Sequence, residues 1–419
     1  MRRRPHQLTQ TWGKSSKHAV ALLDESGREI GQAKFYDNTR QGAEKLLECL
    51  RGLSDLASVH IGMESTGNFW RAFHDYLAKA GCKVDVINPI VTSASMAGDI
   101  RGRKTDKRDA LVIAEVVFRG NYVAKPTENG PERGLKALTR QRGFLVEECT
   151  AVKQHLLGSL SEAFPEFESL FEDAFGVLPL ELLEKYPGAH ALAHARLPAV
   201  MKIVKAHTRG KDVEAEARKL ISAAKNSICI DCAIQTELGE CIRSSVKTVH
   251  DLQSRIKQVQ KLIEACEPPR VAQLIMKIKG SGKLLPKVIA AEFGDLDRFV
   301  KDPKTGAERN MHKRLLAYAG SEPRRRESGK WRGKDFISKR GPGQLRTALY
   351  LIGNNIRQWD PNFKEVYDRK VAAGKHHNVA VIYVFAKLLE ILSALYKSGR
   401  TYTVETPMPE VVNSRERPS

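Results

Sequence analysis

Apolar and polar positions alternate with a period of two through much of the first third of the chain, and the period shifts towards roughly 3.6 beyond it. The stretch "HAVALLDESGREIGQAKFYD" reads as two strands around a turn at Glu25, Ser26 and Gly27. In "SVHIGMES", Val59, Ile61 and Met63 fall on one face of a strand and His60, Gly62 and Glu64 on the other. "NFWRAFHDYLAKAG" places Trp70, Phe73, His74 and Leu77 on one helical stripe with Gly81 as its stop, and the strand "KVDVINP" follows. Strand, helix and strand in that order predict a βαβ unit in a mostly parallel sheet. The break "AKPTENGPERG" closes this region near residue 130.

The remainder reads as helix. From 242 to 266, Ile242, Val249, Leu252, Ile256, Val259, Ile263 and Cys266 keep a three-four alternation, interrupted at Ser245, which predicts a coiled-coil strand. Its expected antiparallel partner runs through Leu138, Leu145, Val152 and Leu156, with the less regular "YPGAHALAHA" and "DVEAEARKLISAAK" between them. A third region begins after "CEPPR". Its final apolar run, "NVAVIYVFAKLLEILSALY", is broken by Lys387 and Glu390 and reads as a buried helix rather than a membrane span. The Pro-rich polar tail "VETPMPEVVNSRERPS" is expected to be disordered. The pattern therefore predicts α/β followed by α: an α/β domain over 1–125, a helical coiled-coil region over 126–270, a mainly helical domain over 271–402 and a tail over 403–419.

Charge narrows the partners. With 69 Lys and Arg against 49 Asp and Glu in 419 residues, the formal net charge is +20, which points towards polyanions and above all nucleic acid. The basic start "MRRRPHQLTQTWGK" has no apolar run behind it, so a cytoplasmic protein with no membrane partner is expected. The CxxC pair Cys229 and Cys232 lacks a second pair at zinc spacing, so the cysteines read as reduced thiols.

The candidate chemistry lies where positive charge is dense. In "GRKTDKRDALVIAEVVFRG", Asp106 and Asp109 begin the apolar stripe of Ala110, Ile113 and Val117, while Lys107, Arg108, Glu115 and Arg119 lie towards the opposite side. A buried carboxylate costs several kcal/mol unless a cation or donors compensate it. Together with Glu64 at a strand end, these oxygens suit a hard divalent cation, Mg²⁺ or Mn²⁺. The alternatives are Asp106 as a helix N-cap, Asp109 as an arginine partner and Glu64 as a strand-end turn residue. "GSGKLLPK", from Gly280 to Lys287, reads either as a hairpin gripping phosphate, with Lys283 within it and Lys279 just before it, or as a structural turn. It lacks the glycine spacing of a Walker loop.

The motifs "MESTGNFWRAFHDYLAKAGCKVDVINP" and "GRKTDKRDALVIAE" resemble the E-x-TG, V-x-x-x-NP and K-TD-x-x-DA signature of DEDD-type insertion-sequence transposases related to the Piv DNA invertase. That family is described as bridge-RNA-guided recombinases. "IKGSGKLLPKVIAAEFGDLDRF" is similar to its PGIG hairpin segment, "LLAYAGSEPRRRESGKWRGKDFISKRGPGQLRTALY" to its AYxGLxPxxxxSG and ISKxGxxxLR block, and "FKEVYDRKVAAGKHHNVAVIYVFAKLLEILSALYKSGRTY" to its closing helices. The resemblance implies an RNase H-like, RuvC-like first domain with a parallel or mixed sheet, in which Glu64, Asp106 and Asp109 are the second, third and fourth acids of a tetrad that holds Mg²⁺. It implies that Ser328, in "RESG", is a serine nucleophile. The family's first acid aligns with Thr11, a neutral hydroxyl and a poor ligand for Mg²⁺.

Read with that resemblance, Ser328 sits among Arg324, Arg325, Arg326, Lys330, Arg332 and Lys334, which can hold a phosphate and favour an ionised serine. By itself the same stretch also reads as a solvated basic loop. Arg103, Lys104 and Arg108 beside the acids, and Lys339 and Arg340 beyond the serine, extend the expected nucleic-acid interface. Trp331 either stacks on a base or closes its own loop. The implied protein is a DNA recombinase acting on donor and target DNA with a structured bridge RNA, as a homodimer or dimer of dimers in the bacterial cytoplasm. A RuvC-like structure-selective nuclease using water, and a nucleic-acid-binding relative impaired by Thr11, remain as alternatives.

Overall fold

A computed structural model describes residues 7–12, 17–65, 69–89, 91–92, 105–120, 122, 130–208, 212–231, 233–301, 307–308, 310–324, 327–328, 331–332 and 336–404. The chain divides into two compact units, residues 1–128 with 301–307, and residues 129–300 with 308–419.

The first unit is built on strands β1 (Gln7–Trp12), β2 (Lys17–Leu23) and β3 (Lys34–Asp37), helix α1 (Arg40–Arg51), strand β4 (His60–Glu64), helix α2 (Trp70–Lys79), strand β5 (Lys83–Ile87) and helix α3 (Asp106–Arg119). The sheet order is β3-β2-β1-β4-β5. β1, β4 and β5 run parallel, as the βαβ reading expects, while β1–β2 and β2–β3 are antiparallel, so the sheet is mixed. The antiparallel half follows from a tight turn: Asp24 Oδ1 accepts from the backbone N–H of Ser26 and of Arg28, and Gly27 takes φ +82°. Val20, Ile61 and Met63 face α1 and α2, packing with Leu46, Leu47, Leu50, Trp70, Phe73 and Leu77. Burial of these side chains supplies the unit's main stabilising term.

The opposite face receives α3. Ala110 packs on Ala19 and Ala21, and Ile113, Val116 and Val117 pack with Ile87. Gly62 permits this approach: a Cβ there would fall 2.3 Å from Val117 Cγ2. The open space that Gly62 leaves beside the strand is occupied by Val117.

The second unit begins with α4 (Gly130–Ala163), continues through α5 (Val177–Lys185), α6 (Ala189–Ala193), α7 (Leu197–His207) and α8 (Val213–Lys225), and returns along α9 (Gln235–Ala265). α4 and α9 pack antiparallel. Leu135 clusters with Ile263 near one end, Ser245 Oγ lies 3.5 Å from His155 Nδ1 midway, and Gln235 Nε2 donates to Ala163 O at 3.2 Å at the other. The stretch that looks less regular in sequence folds into helices sharing a core that includes Leu180, Leu192, Val204 and Leu220.

Beyond them lie α10 (Arg270–Met276), α11 (Leu284–Phe293) and α12 (Met311–Tyr318). Two short antiparallel strand pairs follow, β6 (Pro323–Arg324) with β9 (Phe336–Ile337) and β7 (Glu327–Ser328) with β8 (Trp331–Arg332). Helices α13 (Gly343–Trp359), α14 (Pro361–Ala372) and α15 (His377–Ser398) close the unit. α15 is long and apolar enough to cross a membrane by length and composition. It is nevertheless the core helix here, with Val384, Phe385, Leu388 and Leu392 buried and Lys387 Nζ 3.0 Å from Glu390 Oε2. The tail beyond residue 404 lies outside the described residues.

Candidate active site and nucleic-acid interface

The acidic candidates are set by how α3 lies on the sheet. Thr105, not Asp106, caps the helix: its hydroxyl accepts from Arg108 N, and Asp106 becomes the first helical residue. Asp109, one turn on, is buried, and its backbone N–H is bonded to Thr105 O at 2.9 Å. Lys107 Nζ lies 6.0 Å from the centre of the Phe35 ring, and Phe35 pairs with Ala19, which pairs with Thr11. At its other end Phe118 lies against Gly27. The first turn of α3 therefore sits at the end of the sheet where β1 and β4 finish. β1 and β4 are in register with Gln10 beside Met63, which sets the backbone positions of Thr11 and Glu64 side by side at that end.

Glu64 is half-buried and its Oε1 lies 3.3 Å from the Thr92 hydroxyl. The end of the sheet thus collects Glu64, Asp106 and Asp109, all hard oxygen donors. Among the described residues, however, no three His, Cys, Asp or Glu side chains are close enough together to enclose a metal ion. The sheet order explains the spread. α3 starts over the β2 side, Glu64 is on β4, and position 11 on β1 lies between them. A hard cation such as Mg²⁺ commonly takes only one or two carboxylates, with water and substrate phosphate completing its shell, and this donor set fits that mode.

The other end of the same face carries a polar group that the sequence pattern does not announce. Tyr122 OH donates to Asp85 Oδ2 at 2.6 Å, His60 Nε2 is 2.7 Å from the same oxygen, and the two donors are 3.2 Å apart. The His60 hydrogen bond, helped by Tyr122 and opposed by burial, holds the Asp85 carboxyl below its usual range. Burial first, and then Asp85, push the Tyr122 phenol upwards. Four residue steps along the strand separate His60 from Glu64, roughly 13 Å, so this network lies away from the acids and pins the chain leaving α3 to the sheet.

In the second unit Ser328 ends β7, opposite Trp331 on β8. Arg324 is on β6 and Arg332 on β8. Arg103, Lys104, Arg325, Arg326, Lys330 and Lys334 lie outside the described residues. The base of this segment is fixed by backbone hydrogen bonds. Lys339 N donates to Gly320 O at 2.8 Å, Ser338 N to Glu322 O at 3.0 Å, and Arg346 Nη1 to Ala319 O and Gly341 O. A Cβ on Gly341 would fall 2.0 Å from Tyr318 O, and Lys339 holds φ 53°, a region most side chains avoid. Lys339, Arg340 and Arg108 are exposed. Lys279 and Lys283 are exposed too, on a hairpin between α10 and α11. Lys287 is withdrawn from any phosphate: it is buried and donates to the carbonyls of Ile263, Glu264 and Cys266 at the end of α9.

Two family profiles match the chain. One, described as a transposase, covers residues 12–165; the other, described as the IS116/IS110/IS902 transposase family, covers residues 272–368. The chain is similar to the insertion element IS900 42 kDa protein of Mycobacterium paratuberculosis, with 26% identity over 93% of this chain and 95% of that protein. It is 24% identical to the insertion element IS116 44.8 kDa protein of Streptomyces clavuligerus, over 95% of this chain and 96% of the relative. It is 21% identical to the pilin gene-inverting protein of Moraxella bovis, over 88% and 89%.

Proposed function

Because the chain belongs to the IS110/IS116 family of transposases, we propose that it is a DNA recombinase that cleaves and rejoins strands through a covalent bond to Ser328. A relative named for inverting a gene must join DNA ends as well as cut them, and a covalent intermediate conserves the bond energy that rejoining needs. The observation that carries the reading is the placement of Glu64, Asp106 and Asp109 at one end of the mixed sheet, in a chain whose second matched region contains Ser328.

Glu64, Asp106 and Asp109 would hold a divalent cation, Mg²⁺ or Mn²⁺, whose positive charge would offset the negative charge gathering on the phosphate in the transition state. Ser328 loses its hydroxyl proton, its Oγ bonds to phosphorus, and the deoxyribose oxygen of the broken bond leaves and takes up a proton. A hydroxyl from another DNA end then attacks the phosphoserine and returns the proton to Ser328. Arginines from Arg324 to Arg326 and Arg332 hold the phosphate oxygens. The carboxylates and the serine belong to different units, and the assembly that fits the reading is a homodimer or dimer of dimers. A bridge RNA pairing with donor and target DNA selects the sites, and the work takes place in the bacterial cytoplasm.

Trapping on nicked suicide DNA with the cognate RNA and Mg²⁺ tests this reading. The expected product is a DNA adduct on the peptide containing Ser328, absent from Ser328→Ala and abolished by chelation of the metal. An adduct that persists in Ser328→Ala removes the serine from the mechanism. Cutting without an adduct would favour a nuclease that uses water. Replacing Arg324, Arg325 and Arg326 with alanine should flatten the salt dependence of binding, by about 0.7 to 0.9 in log-log slope for each phosphate no longer neutralised.

A further inference from the structure

Trp359, the last residue of α13, is 64% exposed although its indole lies directly on a backbone. A Cβ on Gly280 would fall 2.6 Å from its Cδ1, so one side of the ring is seated on the hairpin between α10 and α11. Gly280 and Gly282 take φ +84° and +66°, which turns the chain tightly beneath the ring. The mounting is rigid. Asp360, 1% exposed, donates its N–H to Ile356 O at 2.9 Å, caps α14 by accepting from Asn362 N at 3.0 Å, and accepts from Tyr402 OH at 2.9 Å. Lys277, Lys279 and Lys283 on the same hairpin are all exposed.

A fixed indole with much of its surface in water is poorly explained by packing, since the apolar area it leaves exposed could have been buried. Beside three lysines it has the composition of a single-strand grip: cations for the backbone and an aromatic face for a base. We propose that Trp359 and the hairpin lysines bind an unpaired stretch of DNA, with one base stacked on the indole and its flanking phosphates at Lys279 and Lys283. A paired base is already stacked on both faces and cannot use the platform, so the site selects DNA opened during strand exchange. The inference rests on the proposed recombinase reading only in taking DNA as the ligand.

The test measures equilibrium binding of the full chain to a short oligo-dT strand, an oligo-rU strand and a duplex, by fluorescence anisotropy over a range of salt. Trp359→Ala should weaken oligo-dT binding by about five- to a hundredfold, the loss expected for one stacked base, with an unchanged salt slope. Trp359→Phe should restore most of it. Lys279→Ala with Lys283→Ala should lower the slope by about 0.7 for each phosphate no longer neutralised. Thermal unfolding of Trp359→Ala reports separately on the fold. Oligo-dT binding unchanged in Trp359→Ala would overturn the proposal. So would an equal loss on duplex, or a loss confined to oligo-rU. If Trp359→Ala loses oligo-dT while Ser328 forms no adduct, the grip stands and the covalent mechanism falls; the converse result separates them the other way.

Discussion

Gly62 decides how closely α3 can lie on the sheet, and therefore where Asp106 and Asp109 arrive. Gly62→Ala would set a methyl 2.3 Å from Val117 Cγ2, with Ile87 Cδ1 and Ile113 Cγ2 also within 3.3 Å. Overpacking of this kind should destabilise the first unit by about 1–3 kcal/mol, read as a lower urea midpoint, with Val117→Ala as the compensating second change. Asp85 makes a second, pH-dependent prediction. Its folded pKa is depressed, chiefly by His60, so its contribution is present above an unfolded value near ~4 and is lost as pH falls through the folded value. Hydrogen exchange of the β4 and β5 amides should accelerate as pH falls through that window, after correction for intrinsic rates. Asp85→Asn should exchange faster at neutral pH and respond less to acid; an equal acid response in the variant would count against the network. At this scale the faces of β4 and α2 are legible from residue type, because period two and period 3.6 leave few choices. The Tyr122 hydrogen bond is not, since it joins residues 37 apart in sequence through a fold not yet formed.

Helices in the second unit are joined by buried charge as well as by apolar packing. Glu292 on α11 is fully buried, with Arg140 Nε 2.8 Å from its Oε1, Arg140 Nη2 3.1 Å from its Oε2 and Lys136 Nζ 4.0 Å from Oε2, both cations being on α4. Lys287, one turn earlier on α11, caps the end of α9. These bonds tie both long helices to α11. Glu292→Ala should cost somewhat less than the roughly 3–5 kcal/mol of a broken buried pair, because Arg140 is about half in water and can rehydrate. Glu292→Leu combined with Arg140→Met and Lys136→Met should recover most of that loss, measured by urea denaturation; failure to recover would mean that the charges themselves hold the helices. The long helices can be anticipated because Ile242, Val249, Leu252 and Leu145 keep their stripe for many turns. α5 to α8 are harder to read, since each is short and is cut by Pro or Gly, as at Pro187 and Gly188 before α6. Their regularity comes from a shared core that no single segment displays. β6 to β9 are illegible for a similar reason: two-residue strands have no period.

At the scale of the whole molecule, the proposed function accounts for acidic residues lying among basic ones: metal and phosphate would have to occupy the same place. Glu64, Asp106, Asp109 and position 11 stand out in the sequence by their resemblance to a motif, whereas the sheet order that sets position 11 between β2 and β4 comes only from the fold. β1 stands between β2, under the start of α3, and β4, which bears Glu64. An acid at position 11 would be the carboxylate placed between Glu64 on β4 and the two aspartates of α3, and this chain has Thr11 there. With Thr11 in that place, the carboxylates share one end of the sheet without closing into a group of three among the described residues. On this reading nucleic acid binds normally, since the +20 charge is untouched, but strand exchange is slow. Thr11→Asp should raise its rate by at least about tenfold, some 1.4 kcal/mol of barrier. The measurement is single-turnover exchange over a titration of Mg²⁺ and of Mn²⁺. Thr11 protein should be partly rescued by high metal or by Mn²⁺, and the Asp variant should need less of either, because an added charged oxygen tightens the site. A variant no faster at any metal concentration would mean that three carboxylates, as they stand on β4 and α3, are all the reaction uses.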